Sequence, residues 1–200
     1  MPTIFSHTIA AAALGQWFPQ RHRVPGPGSP VPDPRPAIPG LGTARFWLWT
    51  AVCAMLPDFD VIGFPLGIRY DDMLGHRGLS HSFAFAAAVG AFAAWRFPAT
   101  APRLPASGRL APFLYFAAIT ASHGILDALT NGGRGIAFLA PFSNERFFFP
   151  WRPIQVSPIG VGFFSPRGLN VLASELVWIV IPAAVVALLA RIVPQRAERG

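Results

Sequence analysis

Two hundred residues of which 52% are hydrophobic and only 12% charged, with a mean hydropathy of +0.44, fall well below the roughly 25% charged side chains of soluble domains. An ordinary water-soluble domain is excluded. The net charge of +7 comes from arginine alone, and the arginines flank apolar stretches instead of forming one basic face, so no nucleic-acid partner is expected. A single cysteine, Cys53, excludes both an internal disulfide and a thiolate metal cluster.

Five apolar segments follow in chain order, at about residues 4–18, 44–57, 79–97, 110–130 and 169–193. Against the roughly 20 residues that cross a bilayer core, the last three are long enough and the first two are short, requiring tilt, partial insertion or local thinning. The first, "IFSHTIAAAALGQWF", lacks a basic leader and a small-residue cleavage site and is expected to be a retained helix. Residues 19–43 hold "RHRVPGPGSPVPDPRPAIPG", whose prolines remove backbone donors and favour an extended linker. A short connection covers about 98–109. Residues 131–168, rich in Gly, Pro and Phe, read as an aromatic lid loop at headgroup depth. The expected fold is all-α: one domain over 1–200, an integral membrane bundle of about five apolar helices with a metal site at one membrane face.

Alternating helices divide the arginines. Arg21, Arg23, Arg35, Arg45, Arg96, Arg103, Arg109, Arg191, Arg196 and Arg199 fall on one side. Arg69, Arg77, Arg134, Arg146, Arg152 and Arg167 fall on the other, together with Asp58, Asp60, Asp71, Asp72, Asp127 and Glu145. The positive-inside rule places the first group in the cytoplasm and the acidic, histidine-bearing face outside, toward a periplasm. A multi-pass protein of a bacterial inner membrane is expected, with membrane lipids as partners.

Ligand-type residues gather on that outer face. His7 lies near the end of the first segment, Asp58 and Asp60 ("LPDFD") end the second, His76 and His81 ("HRGLSHSF") open the third, and His123 and Asp127 ("SHGILDAL") close the fourth. The i, i+4 spacing of His123 and Asp127 sets both on one helix face, about 5–6 Å apart at Cβ. Each residue also has a plain structural use. His7 can be a helix-end polar group, Ser80 a helix cap, Asp58 and Asp60 caps after Pro57, and His81 a group that orients a neighbour. His22, in the linker, is expected to be solvated. Together, however, ionisable groups near a bilayer cost at least a few kcal/mol each unless partnered, and one dication supplies a shared counter-charge. Imidazole and carboxylate without thiolate favour one or two divalent ions, zinc first and manganese second.

The segments "SHTIAAAALG", "LPDFDVIG", "GHRGLSHSF" and "SHGILDALTNGG", followed by "PFSNERFFFPW", resemble the YdjM-like family of bacterial inner-membrane, metal-dependent hydrolases over nearly the whole chain outside the proline-rich linker. That family in turn looks related to zinc-dependent phospholipase C and its single-strand nuclease relatives. This resemblance implies metal ligation by His7, Asp58 or Asp60, His76, His123 and Asp127. It stops at the later His pair and Glu of those enzymes, because no histidine follows His123.

The function expected is a membrane-bound hydrolase using metal-activated water on a phosphoester or other ester, small or lipid-linked. Asp58 or Asp60, whichever is not a ligand, would serve as general base, and Arg77, with Arg69, Arg134 and Arg146, would bind phosphate oxygens. H-E-x-x-H is absent, which removes the common zinc protease signature. The arginine that phosphohistidine-type lipid phosphatases need six residues before the histidine would fall on Ala117. The competing expectation is a metal-binding transporter or regulator without hydrolytic activity. It calls for polar residues continuing through the membrane.

Overall fold

The computed structural model describes residues 1–17, 41–97, 107–158 and 160–192. Most of the proline-rich stretch, with His22, lies outside the described residues, as do residues 98–106 and those after 192. Six helices carry the described chain: α1 (Ile4–Gly15), α2 (Thr43–Met55), α3 (Phe83–Arg96), α4 (Ser107–Ala128), α5 (Pro166–Glu175) and α6 (Ile181–Ile192). A 3-10 helix over Leu56–Leu66 prolongs α2, and a π turn over Leu176–Val180 joins α5 to α6. Among the described residues no strand forms; isolated bridges link Thr130 with Ile154 and Ile136 with Phe147. The fold is an all-helical membrane bundle.

Three stretches are long and apolar enough to cross a membrane: Thr43–Leu66, Arg109–Ala128 and Pro166–Ile192. Two of the lengths differ from expectation. The second segment gains length because Pro57 interrupts α-helical bonding without turning the chain away, and the 3-10 helix runs on until Gly67, at φ 83°, ends it. The third shrinks to the 14 residues of α3, because the chain before Ser82 is committed to the site. Ser82, not Ser80, caps α3, its hydroxyl accepting from Phe85 N at 3.1 Å.

Small residues let the helices approach closely. A Cβ on Gly90 of α3 would lie 2.5 Å from the Phe113 carbonyl oxygen and 2.8 Å from Ala117 Cβ of α4, so the two backbones touch at that point. The core beneath combines Phe46, Cys53 and Ala54 of α2 with Phe116 and Ile119 of α4. Thr50 donates to the Phe46 carbonyl at 2.9 Å, and Tyr115 completes the pair with Thr50 Oγ1 at 2.8 Å.

The start of α1, the end of α2, the start of α3, the end of α4 and the start of α5 all lie toward one end of the bundle. Arg45, Arg96, Arg109 and Arg191 occupy the opposite helix ends. Glu175, at the close of α5, fastens the last helix to the first. Its carboxylate is 2% exposed and accepts from Thr3 N, from Thr3 Oγ1 at 2.7 Å and from Ser6 Oγ at 2.8 Å. A carboxylate at a helix N-terminus serves the unpaired amides there and the positive end of the dipole. Glu175→Ala would strand those donors and is expected to destabilise the protein by about 1–3 kcal/mol. Thermal unfolding in detergent should show a lowered midpoint, with Glu175→Gln intermediate.

Candidate metal centre

Four parts of the chain deliver ligand-type side chains to this end. His7 is in the first turn of α1, Asp58 follows Pro57, His81 closes the 3-10 turn Leu79–His81, and His123 and Asp127 lie one turn apart on α4. Asp58, His81, His123 and Asp127 are buried, and each offers an atom within 4.8 Å of the others. His123 Nε2 is 3.2 Å from Asp58 Oδ1; His81 Nε2 is 3.7 Å from Asp58 Oδ1 and 3.5 Å from Asp127 Oδ2. His7 joins from above, its ring stacked on that of His123 with centroids 3.6 Å apart and its Nε2 3.6 Å from Asp127 Oδ1.

The outward ring atoms fix which nitrogen faces inward. In the 3-10 turn the amide that would serve the Ala54 carbonyl is that of residue 57, and proline has none. His123 Nδ1 donates to that carbonyl instead, at 2.7 Å. With Nδ1 so engaged, Nε2 faces Asp58. His81 is held likewise, its Nδ1 facing Ser80 Oγ at 2.9 Å and Asp60 Oδ2 at 3.2 Å. Outer partners of this kind orient metal-ligating histidines.

Asp58 and Asp60, two residues apart, thus separate into different roles. Asp60 is enclosed by donors: His76 Nδ1 at 2.6 Å, Arg77 N at 3.1 Å and Ser80 Oγ at 2.6 Å, besides His81. Both oxygens of Asp58 have no hydrogen-bond partner. Asp60, His76 and His81 form a second group with metal-ligand spacing, but the 2.6 Å separation of His76 and Asp60 is that of a direct hydrogen bond. His76 was expected to share an ion with His123 and Asp127. It stands one layer out, and His81 takes the inner place.

Nine buried side-chain atoms lack a hydrogen-bond partner among the described residues, and all nine belong to this cluster: both nitrogens of His7, both oxygens of Asp58 and of Asp127, Nε2 of His81 and of His123, and Nε of Arg77. Buried polar atoms are normally paired. A tetrahedral ion with bonds of about 2.0–2.2 Å needs ligand atoms about 3.3–3.6 Å apart; four His–Asp pairs of the cluster stand at 3.2–3.7 Å, and Asp58, His81, His123 and Asp127 all offer atoms within 4.8 Å of one another. Three carboxylates outnumber the one guanidinium, and a dication supplies the missing positive charge. The donor set fits a divalent metal ion.

Arg77 is 1% exposed, at φ 64°. Its Nε lies 3.1 Å from Asp127 Oδ2, its Nη1 donates to the Gly132 carbonyl at 2.9 Å and its Nη2 to Thr130 Oγ1 at 3.1 Å. It therefore binds Asp127 to the following loop, and the expected contact with a phosphate has no free guanidinium edge. Gly133, at φ 89°, leaves room for it, since a Cβ there would sit 2.4 Å from Arg77 Nη1. Arg146 is similarly spent on the carbonyls of His76, Tyr70 and Asp72, and Arg134 pairs with Asp71. Arg69 is exposed. The stretch expected as an aromatic lid is folded against the site: Ala137 N bonds the Arg77 carbonyl at 3.0 Å and Phe83 N the Phe138 carbonyl at 3.1 Å. Phe142 and Trp151 nevertheless remain exposed on its outside.

Among the groups outside the candidate spans, His81 and Tyr70 have shifted protonation. Burial alone would lower the pKa of His81, but the carboxylates of Asp127, Asp58 and Asp60 outweigh it and raise the pKa to about 10. Without a cation, that imidazole holds a proton among the carboxylates. Tyr70 is pushed up, chiefly by burial, and stays a neutral phenol at physiological pH. The Ala54 carbonyl, Ser80, Thr130 and Glu175 carry no signal in the sequence, because their roles come from which partner the fold sets beside them.

Fold and centre together define a helical membrane protein with a buried His/Asp cluster able to hold a metal ion. The chain belongs to the YdjM inner membrane protein family, whose model matches residues 1–197. It is 34% identical over 183 residues to the inner membrane protein YbcI of Escherichia coli (strain K12), a match spanning 91% of this chain and 92% of that protein. No solved structure matches it significantly.

His123→Ala is expected to lose bound metal with little cost to the fold. Asp127→Ala is a poorer probe, since it also strands the buried Arg77, a change that typically costs about 3–5 kcal/mol. Asp60→Asn should keep the fold and weaken metal binding about 10–100-fold. Elemental analysis and metal titration of the detergent-purified proteins check both. Metal must displace the His81 proton, so apparent affinity should rise between pH 6 and 8 by about tenfold per unit. A titration flat with pH would contradict this assignment.

Proposed function

We propose that this protein is a membrane-bound, metal-dependent hydrolase of phosphoesters or other esters. The observation that supports it best is the meeting of buried Asp58, His81, His123 and Asp127 within ligand distance of one another, with oxygens and ring nitrogens that lack a hydrogen-bond partner and with Asp58 also lining a cleft that leads from the surface. Zinc suits the imidazole and carboxylate donors, with manganese second, and His7, Asp58, His81, His123 and Asp127 would hold it. A divalent ion there supplies a water of lowered pKa and polarises the ester.

The chain's own residues do the rest. Asp60 and the Ala54 carbonyl keep the imidazoles aimed inward, and Arg77 holds Asp127 in place. Asp58, at the mouth, would hold the ion where the cleft reaches it. The water oxygen bonds to the phosphorus or acyl carbon, the bond to the ester oxygen breaks, and the alcohol leaves with a proton. Arg45, Arg96, Arg109 and Arg191 at the far helix ends support a cytoplasmic placement of that end. Arg77, Arg134 and Arg146 are occupied within the protein and weigh little as topology signals, so the site faces the periplasm.

The metal-loaded protein in detergent is expected to hydrolyse at least one member of a panel of phosphomonoesters, phosphodiesters and carboxyl esters. His123→Ala should bring that rate to background. Full metal content with every ester left intact, or an undiminished rate in His123→Ala, rules the proposal out.

A further inference from the structure

The approach to Asp58 has a chemistry of its own. A cleft of about 290 Å³ lies between the start of α1, the 3-10 helix after α2 and the segment before α5, and Ile4, Phe5, Val61, Pro158 and Phe163 line it with Asp58. Its walls are predominantly hydrocarbon, with Met1, Thr3 and Ser157 also lining it and Asp58 the one ionisable side chain among the lining residues. Phe5 and Phe59 stand 69% and 56% exposed nearby, and Leu66, where the α2 stretch ends, 75%. The cleft therefore lies where a membrane-length helix finishes. A water-soluble ester would gain nothing from these walls. An ester carried on a hydrocarbon chain would bury that chain along Ile4, Val61 and Phe163 while its head reaches Asp58.

We propose that the ester is an amphiphile whose one linear hydrocarbon chain lies in this cleft with its ester head at Asp58. This rests on the hydrolase reading and adds the substrate class. The volume sets the single chain: it lies at the lower limit of small-molecule sites, about 300 Å³.

Two measurements test it. In the first, a homologous series of n-alkyl 4-nitrophenyl phosphates from ethyl to octyl is assayed in fixed detergent with the wild type and Val61→Trp. KM of the wild type should fall by up to about fourfold per added methylene, until the cleft is full, with kcat nearly constant. In Val61→Trp the octyl-to-ethyl KM ratio should collapse toward one, and because both proteins share the same micelles, partitioning into detergent cancels. Turnover without chain-length dependence overturns the proposal and leaves the hydrolase reading standing.

The second needs no turnover. A 12-carbon alkyl phosphate with a terminal diazirine is photolysed on the metal-loaded wild type and its adducts mapped by mass spectrometry. Labelling of Ile4, Val61 or Phe163, displaced by octyl phosphate and not by inorganic phosphate, is the expected result. Labelling confined to the outer helix faces overturns the proposal. Cleft labelling in a protein that hydrolyses no ester keeps the amphiphile site and removes the hydrolase.

Discussion

The structure depends on holding an excess of buried carboxylates inside an apolar bundle. Asp58, Asp60 and Asp127 meet one guanidinium, that of Arg77, at a place where water is scarce and each unpaired ion costs several kcal/mol. No packing of leucine or phenylalanine relieves such a cost. A doubly charged ion relieves it at once, and it would give the ring nitrogens of His81 and His123 that face the carboxylates a shared partner. Burial, ring orientation and spacing are three separate properties of the side chains, and they agree.

A cluster of this kind stays ordered only if its surroundings leave it no alternative. Helix α4 contributes two ligands with one turn of rigid backbone, and the break at Pro57 frees a carbonyl that fixes His123. Asp60 ties together His76, the Arg77 backbone, Ser80 and His81, so four residues between α2 and α3 are set by a single carboxylate. Arg77 then links Asp127 to Thr130 and Gly132, and the Gly-rich loop is pulled down as a wall. Its non-glycine backbone at φ 64° is a strained conformation, of the kind that persists where surrounding contacts over-determine it.

The class of fold was legible from composition, since runs of uncharged residues of bilayer length have few other uses. The ligand types were legible too, because histidine and aspartate are scarce in this chain and cluster at segment ends. Which of them face inward was not. Asp58 and Asp60 are equivalent by spacing, and only the positions of Ser80 and the His76 ring, brought near by tertiary folding, divide them into bare and enclosed carboxylates. His76 and His81 presented the same difficulty. The length of the third segment was misread for a related reason: hydropathy counted Leu79 to Ser82 as helix, whereas polar bonds to Asp60 hold part of that stretch in a 3-10 turn. Arg77 looked like a substrate-binding cation because arginine often is, and nothing in its neighbours announced that Thr130 and Gly132, more than fifty residues on, would use it up.

The packing around the centre also bears on what it does. Toward the far end of the bundle, Ala54, Phe116 and Ile119 close the core, each at most 1% exposed, and the polar pair Thr50 and Tyr115 beneath them is satisfied by its own hydrogen bonds. An ion leaving in that direction would have to shed its ligands into hydrocarbon. Toward the near end, the cleft meets Asp58. A carrier needs two alternately open sides with polar groups along both, whereas a hydrolytic centre needs one opening, wide enough for the ester and narrow enough to exclude bulk water. The described opening at Asp58, lined mostly with hydrocarbon and ending on a carboxylate without a hydrogen-bond partner, suits the second requirement.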